Sequence, residues 1–254
     1  MTSVASHPVP TAGVREFHFG PEVFSAPPLA HDEIHVWHQS LARGPAEVAT
    51  LRSLLSPDEL QRADRFRFDK DRNQFIVSRG TLRTLLGWYL NLSPEELRFA
   101  SSAYGRPGLA AETPARTLDF NVSHSGELAL LAFAHGRKIG IDVEKVRRDF
   151  ATSEIAERFF STAERAALRE LPHEQRHEAF FRCWTRKEAF IKALGEGLSH
   201  PLDQFDVSLA PGVPAALLAT RPDVLEVRRW TLWNIQVPAD YAAALVAGSN
   251  SSSA

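Results

Sequence analysis

Three acidic side chains stand at spacings that suit chemistry. Asp142 and Glu144 lie two apart in Ile139-Gly140-Ile141-Asp142-Val143-Glu144. On a strand that spacing puts both carboxylates on one face, with Ile141 and Val143 on the other. Adjacent like charges on a strand are unfavourable without a counter-ion. A hard divalent cation supplies one, and Mg²⁺ typically takes one or two carboxylates, keeps waters and accepts phosphate oxygens. A solvent-facing strand edge gives the same pattern, and the motif alone does not separate the two. Glu188 is the third acid. It precedes Lys192 by four residues, so the pair shares one face of a helix. Spacing alone would make them a solvated ion pair worth a few tenths of a kcal/mol.

A third stretch fits the same chemistry. Phe120-Asn121-Val122-Ser123-His124-Ser125-Gly126 ends a strand in a hydroxyl-rich turn whose side chains and N–H groups suit a phosphate or diphosphate. By itself it reads more simply as a serine-rich turn with a surface histidine. Other patterns lead nowhere. His173-Glu174-Gln175-Arg176-His177 matches a zinc-protease spacing, but Pro172 precedes it, polar residues fill it and no third ligand follows. Cys183 lies in an apolar helical run, an ordinary place for an inert buried thiol. His31, His35 and His38 read as surface or strand histidines. Arg62, Arg65, Arg72 and Arg79 read as a solvated helix face unless a polyanion lies across them.

The chain has 254 residues, 44% of them hydrophobic, with 16 Phe, one Cys and a net charge of −2. That is enough for one large domain or two small ones with cores. The charge balance argues against nucleic acid and against an anionic membrane surface. No run approaches the roughly 18 apolar residues of a membrane helix, and no secretory signal is read at residues 1–30. A single cysteine excludes an internal disulfide framework and fits a reducing compartment. A cytoplasmic location is expected.

Helices and strands must position these groups. Ser56-Pro57-Asp58-Glu59 signals a helix start, running to about Phe68, and a second helix spans Arg72–Leu90. Strands are expected at Ile34–His38, Leu97–Ala100, Asp119–Ser123, Leu128–Phe133 and Arg137–Val143, with a turn at Tyr104–Pro107. Helices follow over Ser153–Phe160, Ser161–Glu170 and Glu174–Leu194. Patches of alternation over Gln204–Val246, including Val224–Val227, predict further strands. Ser56-Pro-Asp-Glu followed by a helix ending Leu86-Gly87 is echoed by Ser161-Thr-Ala-Glu and a helix ending Leu194-Gly195. The fold class expected is therefore α+β: two similar lobes, each a small, mostly antiparallel sheet packed on a long helix, with the site in the cleft between them. Residues 1–30 are expected as a loose lead-in, 31–135 and 136–247 as the lobes, and 248–254 as a disordered tail.

Together the motifs resemble the Sfp-type 4′-phosphopantetheinyl transferases. Asn121–Gly126, Gly140–Glu144 and Trp184-Thr-Arg-Lys-Glu-Ala189 with Lys192 carry the likeness. Tyr104–Pro107 and Glu154–Ser161 support it, and the form Lys187-Glu188-Ala189 is similar to the Sfp-like branch. The resemblance implies transfer of 4′-phosphopantetheine from coenzyme A to a serine of an apo acyl or peptidyl carrier protein, a holo-[acyl-carrier-protein] synthase type of activity that releases adenosine 3′,5′-bisphosphate. It implies Asp142, Glu144 and Glu188 as Mg²⁺ ligands. Glu188 and Lys192 become the catalytic pair, with Glu188 as candidate base and Lys192 near the diphosphate. Ser123 and His124 fall on the 3′-phosphate side of coenzyme A. Arg106 stands where the family usually has lysine, and Arg62 fits a cationic position of the first helix. Glu59 replaces another such cation, for which Arg65, Arg72 or Arg79 is a substitute. A monomer is expected, and the alternative is a relative that binds coenzyme A or carrier protein without turnover.

Overall fold

The computed structural model describes residues 13–101, 107–110, 118–148, 150, 152–195 and 200–249. It contains two units of one plan. The first comprises strands β1 (Gly13–His18) and β2 (Glu33–Ser40), helices α1 (Pro45–Ser53), α2 (Pro57–Asp64) and α3 (Asp69–Leu90), and short strands β3 (Phe99–Ser101) and β4 (Pro107–Leu109). It closes with the hairpin β5 (Leu118–Ser125) and β6 (Leu128–His135). The second runs through β7 (Ile139–Lys145), helices α4 (Thr152–Phe159), α5 (Thr162–Glu170) and α6 (His173–Leu194), and the small hairpin β8 (Phe205–Val207) and β9 (Leu217–Thr220). Strands β10 (Trp230–Asn234) and β11 (Tyr241–Gly248) end it. In each unit the last strand lies between the penultimate strand and an earlier one, antiparallel to both: β2-β6-β5 and β7-β11-β10. Each unit also carries a 22-residue helix, stopped by a left-handed residue, Asn91 at φ 52° and Gly195 at φ 80°.

Burial follows from alternation along the strands. Leu131 and Phe133 of β6 face α3 together with Leu82, Leu85 and Leu86. Leu130, Ala132 and Ala134 face the other way, onto Ile139, Ile141 and Val143 of β7 and Leu245 of β11. Ala244 and Val246 of β11 face α6, where they meet Phe180, Phe190 and Ile191. The layers are thus α3, first sheet, second sheet, α6. The apolar seam between the sheets joins the two units.

At one side of that seam the contact turns polar. Strands β5 and β7 each end their sheet, and the outward N–H groups of an end strand lack a ladder partner. Here Asn121 Oδ1 accepts from the N–H of Ile141 (2.8 Å), Ser123 Oγ from Val143 (3.3 Å) and Ser125 Oγ from Lys145 (3.1 Å). Side chains two apart on β5 thereby fix the register of β7. Gly140 closes the other face. A Cβ there would lie 2.1 Å from the carbonyl oxygen of Ala189, so only glycine lets α6 approach β7 this closely.

Several expectations are corrected. The lead-in contains β1, because Gly13–His18 satisfies the open edge of β2 in parallel register. Gly248 belongs to β11, its N–H bonded to the carbonyl of Lys138 at 2.9 Å, and 250–254 lie outside the described residues. Helix α2 stops at Asp64, where the chain turns to start α3, and does not reach Phe68. Glu226–Arg229 is a 3-10 turn in place of the strand expected over Val224–Val227. Helix α1, begun by Gly44-Pro45, was not foreseen.

Substituting Gly140→Ala is expected to destabilise the protein by about 3 kcal/mol or more, through overpacking against backbone that cannot yield. Asn121→Ala should cost about 1–3 kcal/mol by leaving the Ile141 N–H unpaired. Gly20→Ala, which meets nothing within 4 Å, should stay within about 0.5 kcal/mol. Urea unfolding of the three variants checks the order.

Candidate active site

Alternation on β7 turns Asp142 and Glu144 toward α6, opposite the apolar seam. The two serines of β5 reach them. Ser123 Oγ donates to Asp142 Oδ1 and Ser125 Oγ donates to Glu144 Oε2, both at 2.8 Å. From α6, Lys192 Nζ donates to Asp142 Oδ1 at 2.6 Å, to Ser123 Oγ at 2.9 Å and to the Ile141 carbonyl at 3.2 Å. Ser123 therefore gives its one proton to Asp142 and accepts from Lys192 and Val143. That uses the capacity of a hydroxyl.

Glu188 sits one helical turn before Lys192 and faces the same cluster. Burial, and then the Asp142 carboxylate, push its pKa up to about 7; Lys192 opposes the shift and Glu144 adds to it. Glu144 is likewise raised, by burial first and by Asp142 second, against the Ser125 hydrogen bond. Three carboxylates thus feel one another beside one ammonium group. Asp142 Oδ2 is buried and lacks a hydrogen-bond partner. An all-oxygen donor set, an unpartnered buried carboxylate oxygen and an excess of negative charge fit a hard divalent cation. Among the described residues no three His, Cys, Asp or Glu stand ready-spaced as a metal shell. Asp142 is drawn onto Lys192, and Glu144 onto Ser125.

Beside this cluster lies a cleft of about 420 Å³ between α2, α3 and β5, lined by Arg62, Phe66, Phe75, Ser78, Arg79 and His124 among others. The Arg62 guanidinium sits 5.1 Å from the centre of the Phe75 ring, and that of Arg79 4.9 Å from the Phe99 ring. Glu59, expected as a lost cation, is a buried anchor: Oε2 accepts from Arg83 Nε at 2.6 Å and Oε1 lies 3.4 Å from Arg79 Nε. Arg79 Nη1 remains without a hydrogen bond. Burial lowers the Arg79 pKa, with Glu59 opposing. His124 forms the cleft wall nearest the carboxylates. Its pKa is lowered by desolvation and then by the Lys192 charge, which places cleft and cluster side by side. Cations interleaved with rings suit an anionic ligand that carries a flat base.

Sequence comparison agrees with this geometry. The 4′-phosphopantetheinyl transferase HetI of Nostoc sp. is 40% identical over 219 residues, which cover 86% of this chain and 89% of that protein. The chain belongs to the 4′-phosphopantetheinyl transferase superfamily. Residues 138–246 match the superfamily itself, and residues 42–135 match the description "4′-phosphopantetheinyl transferase, N-terminal". Sfp of Bacillus subtilis is 34% identical over 157 residues, covering 62% of this chain and 67% of its own. A putative 4′-phosphopantetheinyl transferase of Synechocystis sp. is 33% identical over 189 residues, covering 74% and 75%.

Within this phosphopantetheinyl transferase the structure brings Asp142, Glu144, Glu188, Lys192 and Ser123 to one place, with Arg62, Arg79 and His124 on the adjoining cleft. Arg106 lies outside the described residues. The Ser123 hydroxyl is engaged by Asp142, Lys192 and the Val143 N–H. Lys187, next to Glu188, points away. Its ammonium is buried and bonded to Glu164 (2.8 Å) and to the carbonyls of Leu202 and Phe205 (both 2.7 Å). Arg186 is buried too, on Ser208 and Asn234. His35 and His38 are buried strand residues paired with Glu33 and Glu16. His173 opens α6 at the surface, far along the helix from Glu188. Sequence reasoning missed the roles of Gly140, Asn121, Glu59 and Glu164. For Asn121 the signal was present, as Asn-x-Ser-x-Ser on one face of an otherwise apolar strand.

The raised Glu188 pKa sets a sign. A carboxyl whose folded pKa exceeds its ordinary 4.5 contributes stability that is full below that value and lost as pH rises through about 7. In chelated buffer the Glu188→Gln variant should therefore gain on the parent protein, by a few degrees of Tm, as pH is raised from roughly 5 to 8. Thermal scans across that window check it. A constant gap would contradict the shift.

Proposed function

We propose that this chain transfers 4′-phosphopantetheine from coenzyme A to the serine hydroxyl of an apo acyl or peptidyl carrier protein, releasing adenosine 3′,5′-bisphosphate. The observation that carries the reading is the junction of an arginine- and ring-lined cleft with three mutually repelling carboxylates and a lysine. Membership of the superfamily supports it. The lobes divide between β6 and β7, coenzyme A lies across both, and the chain works in the cytoplasm.

Arg62, Arg79 and His124 hold the nucleotide end. The arginines pair with phosphate oxygens, and the Phe75 ring offers the base a face. Lys192 takes the diphosphate. Asp142, Glu144 and Glu188 would hold Mg²⁺, which when bound neutralises charge on the diphosphate oxygens. Glu188, on the helix turn before Lys192, is the candidate to receive the carrier serine proton. The serine oxygen bonds to the phosphorus that bears pantetheine as the bridging oxygen departs with the nucleotide. Lys192 stabilises the negative charge on that leaving oxygen.

Mixing the protein with coenzyme A, Mg²⁺ and an apo carrier domain is expected to raise the carrier's intact mass by one phosphopantetheine unit. Chelation, Asp142→Ala or Glu188→Ala should reduce the rate by about 100-fold or more. Arg62→Ala should raise KM for coenzyme A about 10-fold with little change in kcat, as expected for uniform binding. Tight coenzyme A binding with every carrier left unmodified would favour the non-catalytic relative.

A further inference from the structure

We infer that Ser125 is a positioning residue for the cation site: through its hydroxyl the first lobe holds Glu144 of the second in place. The inference rests on the reading of Asp142, Glu144 and Glu188 as cation ligands. Ser125 is the last residue of β5, before Gly126 at φ 58° in the two-residue turn to β6. Its hydroxyl has two partners on β7: it accepts from the Lys145 N–H at 3.1 Å and donates to Glu144 Oε2 at 2.8 Å.

That arrangement has a purpose a lone surface serine would not serve. The N–H contact locks the serine to the β7 backbone, so the donated proton points at one place relative to Glu144. A carboxylate freed from that bond would spread over several rotamers, each of which must be frozen when a cation binds. Ser123 does the same for Asp142, but it shares its hydroxyl with Lys192. Among the described residues the hydrogen bonds of the Ser125 hydroxyl go to β7 alone, which makes its effect separable. The turn behind it is braced as well: the Tyr241 hydroxyl accepts from the Glu127 N–H at 3.1 Å, Gln74 Nε2 donates to the Gly126 carbonyl at 2.9 Å, and a Cβ on Gly126 would meet the Tyr241 hydroxyl at 2.7 Å.

The test compares Ser125→Thr with Ser125→Val, which are nearly equal in shape and differ by the hydroxyl. Mg²⁺ is titrated into each without coenzyme A, and thermal stabilisation is followed. The midpoint of Ser125→Val should rise about 10-fold over the parent protein, and that of Ser125→Thr should stay within about 2-fold, the range known for changes in groups that orient metal ligands. In turnover assays Ser125→Val should raise KM for Mg²⁺ with KM for coenzyme A within about 2-fold. Equal midpoints for Val, Thr and parent would overturn the inference, and so would a change confined to KM for coenzyme A. Should Val not fold, Ser125→Ala replaces it with the same expectation. If Mg²⁺ stabilises not even the parent protein, the cation reading itself fails, a result distinct from equal midpoints.

Discussion

The structure hangs on the meeting of two sheet edges. Ile141, Val143 and Lys145 present N–H groups that no neighbouring strand pairs, and Asn121, Ser123 and Ser125 answer them with side-chain oxygens. A backbone ladder would have merged the units into one continuous sheet. Side chains keep them distinct while fixing their register to one residue, since a slip of one would turn apolar Phe120 and Val122 toward the edge. The same serines then donate to Asp142 and Glu144. One set of contacts thus defines both the lobe interface and the chemistry beside it.

Repulsion explains the remainder of the site. Burial beside α6 takes Glu144 and Glu188 out of water and sets them against Asp142, and Lys192 offsets part of the imbalance. Gly140 is what permits this crowding, by letting α6 rest on the β7 backbone. Other buried charges are paired with an opposite charge, as in Lys187 with Glu164 and Arg83 with Glu59. The under-compensated acids are the kind of imbalance that marks functional sites.

Much of this was legible in the residues. The periodicities of α3 and α6, the β5–β6 hairpin and the shared face of Asp142 and Glu144 follow from local pattern. The doubled lobe plan showed in the recurring Ser-x-x-Glu helix starts, of which Ser161–Glu164 forms a full capping box. Other features depend on partners that sequence does not display. Strand β1 is mostly exposed and polar and exists because β2 has an open edge. The bond from the Val143 N–H to the Ser123 hydroxyl was not legible, because a backbone N–H has no signature in the sequence. Lys187 and Glu188 are neighbours whose side chains diverge by the angle between successive helical residues, so one is entombed and the other faces the acidic cluster.

The central claim is that Asp142, Glu144 and Glu188 hold one divalent ion between the lobes. Crystals grown with Mn²⁺ and examined by anomalous diffraction test it most directly. One strong peak within bonding distance of oxygens from all three side chains is the predicted result. A peak elsewhere, or none beside these residues at saturating Mn²⁺, would contradict it.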